Sequence, residues 1–163
     1  MPNWCANTLT ISGDKEKIIK FNTQLEESNG KDFFDVFVPN AEKAGREKDF
    51  YSYNQETYGC KWNCDASDWE LITETELRIL FDSPWGPPIA LYDEIVSQGF
   101  NVLAEYFEPG MCFLGRYEDS NDFYYEYGNI NTVEELYEEI PADLIESWNI
   151  VECIKEREES NEV

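Results

Sequence analysis

Apolar residues in this chain recur at two periods, one of two residues and one near three and a half. The order in which these periods alternate constrains the fold more than any single motif. Residues 4–12, Trp-Cys-Ala-Asn-Thr-Leu-Thr-Ile-Ser, are β-formers and stop at Gly13-Asp14, which predicts a first strand. Asp14 is a helix N-cap, and Ile18, Ile19, Phe21 and Leu25 follow at helical spacing until Ser28-Asn29-Gly30, where glycine suits a left-handed cap. Residues 33–38, Phe-Phe-Asp-Val-Phe-Val, predict a short strand, and 40–66 has no sustained period. Residues 68–82 read as two strands about a turn near Thr73–Thr75. Ser83-Pro84-Trp85-Gly86-Pro87-Pro88 then forms a stiff connection, with Pro88 suited to the first turn of the next helix. That helix carries Ile89, Leu91, Tyr92, Ile95 and Val96 and ends at Gln98-Gly99. Strands over 101–107, 111–117 and 122–127 follow. Thr132 with Glu135 forms a capping box at the start of a helix over 132–139, a last helix covers 142–158, and 159–163 should fray.

This order predicts an α+β fold: a ferredoxin-like βαββαβ antiparallel sheet with an added C-terminal hairpin and acidic helices. Residues 1–130 form the ferredoxin-like domain, with 40–66 as a long insertion, and 131–163 form an acidic helical extension packed on it.

Charge narrows the function classes. The chain has 35 acidic and 12 basic residues, a formal charge of −23, and no histidine. Such a body repels phosphate backbones and anionic lipid, so neither direct nucleic-acid binding nor membrane binding is expected. The lack of histidine removes the usual general base, the Ser-His and Cys-His pairs and the commonest metal ligand. At 15% aromatic, the chain differs from disordered acidic segments, which cannot bury enough apolar surface to fold. It has neither a leader-type start nor a long apolar run, so a cytoplasmic location is expected. The five cysteines are odd in number and scattered, as reduced, buried thiols are. Cys60-x-x-x-Cys64 supplies only half of a structural zinc set, so no metal or cofactor is expected.

Four segments concentrate Trp or Phe with Asn, Asp, Glu, Gly and Pro at strand ends and connections: Pro2-Asn3-Trp4-Cys5-x-Asn7-x-Leu9, Tyr58-Gly59-Cys60-Lys61-Trp62-Asn63, Phe81-Asp82-Ser83-Pro84-Trp85-Gly86-Pro87-Pro88, and Tyr106-x-Glu108-Pro109-Gly110-x-x-Phe113-x-Gly115. In this order they resemble the YubB-type family of phage- and plasmid-borne proteins, over about residues 2–117. The resemblance implies a ferredoxin-like fold and a mobile-element origin, and no reaction. Tyr58, Cys60 and Asn63 stand where that family tends to have Trp, Thr and Asp.

Aromatic walls with a few convergent polar groups suit a ligand or partner pocket, and Trp4, Asn7, Trp62, Asn63, Asp82, Trp85, Glu108, Gly110 and Phe113 are its candidates. The competing reading makes Trp4, Trp62 and Trp85 core anchors. No residue is assigned as catalytic. Asp82 and Glu108 form the one obvious acid/base pair, with Lys61 as a candidate cation; sugar-cleaving chemistry would need the two carboxyl groups about 5–9.5 Å apart.

Residues 105–163 hold 17 acids and 3 bases, against 18 and 9 in residues 1–104. Glu118, Asp119, Asp122, Glu126, Glu134, Glu135, Glu138 and Glu139 are the candidates for an acidic docking face. The four glutamates at 134–139 average about one charge per 2.3 Å of helix, near the one per about 1.7 Å of duplex DNA. The first functional reading is a phage- or plasmid-type accessory protein that binds and modulates or inhibits a host protein with a basic surface. That host protein would be a defence or nucleic-acid-handling factor, with the acid as docking face or nucleic-acid mimic. The alternatives are a small-ligand or nucleotide-sequestering protein with an aromatic pocket and, last, a carboxylate-dependent enzyme.

Overall fold

A computed structural model describes residues 1–161. Strands β1 (Trp4–Ser12), β2 (Ala66–Thr73), β3 (Glu76–Pro84), β4 (Asn101–Glu108), β5 (Phe113–Glu118) and β6 (Asn121–Glu126) form one sheet in the order β2-β3-β1-β4-β5-β6. Every neighbouring pair is antiparallel. Helices α1 (Lys15–Ser28), α2 (Phe50–Thr57), α3 (Ile89–Ser97), α4 (Val133–Glu139), α5 (Ala142–Ser147) and α6 (Ile150–Asn161) complete an α+β fold. Among the described residues no helix is long and apolar enough to cross a membrane.

The period-two pattern of β1 puts Cys5, Asn7, Leu9 and Ile11 on one buried face. Leu77, Ile79 and Phe81 of β3 and Val102, Ala104 and Tyr106 of β4 share it. Ile18, Phe21 and Leu25 of α1 and Leu91, Tyr92 and Ile95 of α3 close over that face and make the main core. Asp14 caps α1 by accepting the Lys17 N–H at 3.1 Å. At the other end Asn29 takes the left-handed position, with φ 52°. Gly30 follows at φ +72°, where a Cβ would meet the Ala66 carbonyl and the Trp69 ring at 2.8 Å.

The opposite face is covered only at the β4–β6 end. There Leu114 and Phe107 meet a second core of Leu136, Ile140, Leu144, Ile145, Ile150 and Ile154 from the C-terminal helices. Phe107 is stacked between Tyr127 and Trp148, at centroid distances of 6.1 and 5.6 Å. Over β2, β3 and the start of β1 this face stays open.

Five local expectations are corrected. Residues 33–38 are not a strand: Phe33–Val36 form a 3₁₀ turn. Phe33 and Phe34 are both fully buried, and both rings pack on Phe81, at centroid distances of 4.8 and 5.9 Å. The 40–66 stretch is a packed segment carrying α2, with Tyr53, Tyr58, Cys60 and Cys64 in the interior. Residues 142–158 form two helices, broken at Asn149 with φ 53°, so that Ile145 and Ile150 both reach the second core. Pro88 stands just before α3 rather than in its first turn. Of the segment expected to fray, 159–161 continue α6, and 162–163 lie outside the described residues.

Candidate functional site

Two chain segments far apart in sequence, 31–36 and 62–65, meet beside the N-terminal end of β1. Hydrogen bonds run from Phe33 N–H to the Cys64 carbonyl (2.9 Å) and from Asp32 N–H to the Asp65 carboxylate (2.9 Å). Asn63 locks the junction. Its Oδ1 accepts from Phe34 N–H at 3.1 Å and from Cys64 N–H at 2.9 Å, and its Nδ2 donates to Asp35 at 2.8 Å. With Trp4 and Asp82 on the open face of the sheet, these segments enclose a cleft of about 550 Å³. Its walls are Trp4, Trp62, Asn63, Asp82, Lys31, Asp32, Cys64, Asp65 and Ser67.

Trp4 and Trp62 meet edge to face, with centroids 6.2 Å apart and planes at 70°. Trp4 is 48% exposed and Trp85 54% exposed, which excludes the core-anchor reading for both. A tryptophan left half in water offers an apolar surface that the fold itself does not use. Asp32, Asp65 and Asp82 ring the cleft against a single cation, Lys31, so its walls carry a net charge of −2. The Lys61 ammonium lies 5.6 Å from the Trp62 ring centroid.

The nine pocket candidates divide. Trp4, Trp62, Asn63 and Asp82 come together in the cleft. Asn7 lies beneath the other face, fully bonded: its Nδ2 donates to the Cys5 carbonyl and to Ser83 Oγ, both at 2.8 Å, and its Oδ1 accepts from Tyr92 at 3.1 Å. Ser83 in turn donates to the Gly86 carbonyl at 2.6 Å. This network shapes the connection on which Trp85 stands at φ 69°, its N–H donating to the Asn3 carbonyl at 2.8 Å. A bulky residue in that region is strained and held by its surroundings.

Glu108, 1% exposed, accepts from the N–H groups of Gly110 and Met111, both at 2.7 Å, and so caps its own turn. A Cβ on Gly110 would meet that carboxylate at 2.9 Å. Phe113 is buried against Cys5 and Tyr106. The Asp82–Glu108 acid/base pair does not form. Asp82 stands opposite Ala6 on the open face, while β4 alternation puts Glu108 on the covered face with Tyr106 and Cys5.

Both Cys60 and Cys64 thiols lie beside the Trp62 carbonyl, at 3.4 and 3.7 Å. The hydrogen bond to Cys60 and then burial push the Cys64 thiol far up from its ordinary value. Burial, followed by the Glu108 charge, pushes Cys5 up to about 12. Neither is a nucleophile near neutrality. Among the described residues no group of three or more His, Cys, Asp or Glu side chains is placed to hold a metal ion.

The acidic candidates also divide. Glu118 and Asp119 lie at the β5–β6 turn, and Glu126 at the far end of β6. Glu126, Glu135 and Glu139 line one groove with Tyr124, Tyr125, Ile130 and Ile140. Glu135 accepts the Asn131 N–H at 3.1 Å while its own N–H donates to Thr132 at 3.2 Å. Glu134 and Glu138 stand exposed elsewhere on α4. Asp122 accepts the Tyr106 hydroxyl at 2.5 Å. That bond crosses Gly115, where a Cβ would come within 2.2 Å of the hydroxyl.

Sequence reasoning missed Lys31, Asp32, Asp65 and Ser67 in the cleft. A carboxylate in a loop has no periodic signal, and the contact of Asp32 with Asp65 spans 33 residues. No family model matches the chain, and no curated protein matches it. Among solved structures, the protein Api92 from Yersinia pseudotuberculosis, of the family DUF1281, is similar at 12% identity and a TM-score of 0.47. The similarity covers 78% of this chain and 99% of that one.

Proposed function

We propose that this chain is a non-enzymatic binding protein that docks on a basic surface of a partner protein, and that the Trp4–Trp62 cleft receives one of the partner's cationic side chains. The observation that carries this reading is the pairing of two partly exposed indoles with three carboxylates and one cation in the same cleft. A guanidinium or ammonium gains from an aromatic face and from a carboxylate at once, and more so where water is partly excluded. The same walls disfavour a nucleotide, whose phosphates would face Asp32, Asp65 and Asp82 without a bridging cation.

The strand order β2-β3-β1-β4, with α1 and α3 on one face, supports reading the first four strands as a ferredoxin-like unit extended by β5 and β6. The ordered motifs of residues 2–117 support a YubB-type accessory protein of phage or plasmid origin, for which the basic partner is a host protein.

Tryptophan fluorescence tests the cleft. Titration with acetyl-Gly-Arg-Gly-amide, too short to pair as a strand, should shift the emission, and the shift should weaken above roughly 0.3 M salt. Trp62→Ala and Asp82→Asn should each weaken the interaction about tenfold. No shift at low salt, or a larger response to nucleotides than to the arginine peptide, would discard this reading.

A further inference from the structure

Strand β6 ends the sheet, and among the described residues no strand pairs with its outer side. Its pairing with β5 is regular from Glu118↔Asn121 to Phe113↔Glu126, without a bulge. The other edge, β2, is interrupted by two register shifts. Sheet edges are usually blunted by bulges, proline, lysine or a covering loop. β6 has none of these: its sequence is Asn-Asp-Phe-Tyr-Tyr-Glu, and all of it is exposed except Tyr125, which is half-buried. Among the described residues no side chain or loop bonds to the main chain of 122–125.

The geometry points to β6 as a strand-addition site for an extended basic segment of a partner protein, with cationic residues four positions apart around an apolar one. Residues 122, 124 and 126 share one face of the sheet. A strand added antiparallel, with its central residue opposite Tyr124, places the residues two before and two after that centre opposite Glu126 and Asp122. Both carboxylates are already oriented by hydroxyl donors: Asp122 by Tyr106 at 2.5 Å and Glu126 by Tyr124 at 3.1 Å. Charged groups held in place before binding lose less freedom on pairing. Phe123 and Tyr124, 47% and 48% exposed, supply apolar contact on either face.

Charge disfavours a second copy of this chain as the occupant in the same register. Self-pairing about Tyr124 sets Asp122 directly opposite Glu126 of the copy, and like charges directly opposite are destabilising. An alternating segment also meets acid on the other face. There the residue beside Tyr125 faces the groove of about 680 Å³ that holds Glu135 and Glu139. The basic character of the occupant rests on the proposed function, but the surface is distinct from the Trp4–Trp62 cleft.

The probe is the peptide Thr-Lys-Thr-Val-Thr-Lys-Thr, labelled and capped, followed by fluorescence anisotropy and by hydrogen exchange of the full chain. Binding should protect the alternate amides of 121–126 that point away from β5. Methylating alternate peptide amides, which keeps every charge but removes the ladder, should weaken binding at least about tenfold. Moving the lysines from four to three apart should weaken it as well, because they then point to opposite faces. Glu126→Gln should lower affinity, while Trp62→Ala leaves it unchanged. Equal binding of the methylated peptide, or loss of binding in Trp62→Ala, overturns the strand-addition site whether or not the cleft binds arginine.

Discussion

The amide of Asn63 accepts from two main-chain N–H groups and donates to Asp35, so it needs both an acceptor and a donor end. An aspartate at this position keeps the acceptor but turns a donor into a second carboxylate facing Asp35. Asn63→Asp should therefore cost about 1–2 kcal/mol at neutral pH, the penalty for an unmade, partly buried bond with repulsion added. The like charge raises the new carboxyl's pKa in the fold, so the loss is present above that pKa and relieved as pH falls through it. Denaturant unfolding of both proteins at pH 7 and pH 4 checks the sign; an equal loss at both pH values would refute the electrostatic share. At this scale the sequence was a partial guide. The aromatic-polar motifs marked Trp4, Trp62, Asn63 and Asp82, yet the same pattern also selected Asn7, Glu108 and Gly110, whose bonds shape turns and connections. Residue type is shared by pocket walls and turn caps; only the partners of each polar atom separate them.

Elements in the C-terminal third are held by the few cations present there. Arg116 bonds Glu105 at 2.8 Å and Asp143 at 2.5 Å, tying the start of α5 to the sheet. Arg157 donates to the carbonyls of Tyr127, Gly128 and Ile130, fixing α6 to the loop after β6. The hydrogen bond from Arg116 holds the Asp143 carboxyl below its ordinary value of 3.8. A depressed folded-state pKa stabilises above the unfolded value and is lost as pH falls through the folded one. Protection of α5 amides from hydrogen exchange should persist at pH 4 and fall only below pH 3.8, and Asp143→Asn should lack that step. Matching acid profiles for the two proteins would contradict this. Helix α4 and its cap at Thr132 were legible because capping is local. The break at Asn149 was not, because it exists to bring Ile145 and Ile150 onto Leu114, a residue some 30 positions away.

Across the whole molecule, all three cations in residues 105–163 are spent on internal bonds, which leaves the surface of that third almost uniformly negative. Self-repulsion in a body of charge −23 opposes compactness and is screened by salt. The midpoint of thermal unfolding should rise as sodium chloride goes from about 0.02 M to about 0.5 M, with most of the gain below about 0.2 M, where the screening length falls below about 10 Å. A flat or falling midpoint would show that repulsion is not a limiting cost. The sequence by itself determined the α+β class, the six strands of the sheet though not the turn at 33–36, most helices, and the acid excess, because periodicity, caps and charge are properties of neighbours along the chain. The tertiary structure alone decided that β4 and β5 carry a second core on their other face, that residues 31–36 and 62–65 close a cleft against Trp4 and Asp82, and that β6 is left as an open edge. Each of those depends on which distant segments come to lie side by side, and one residue's period or charge carries no record of its neighbour across the sheet.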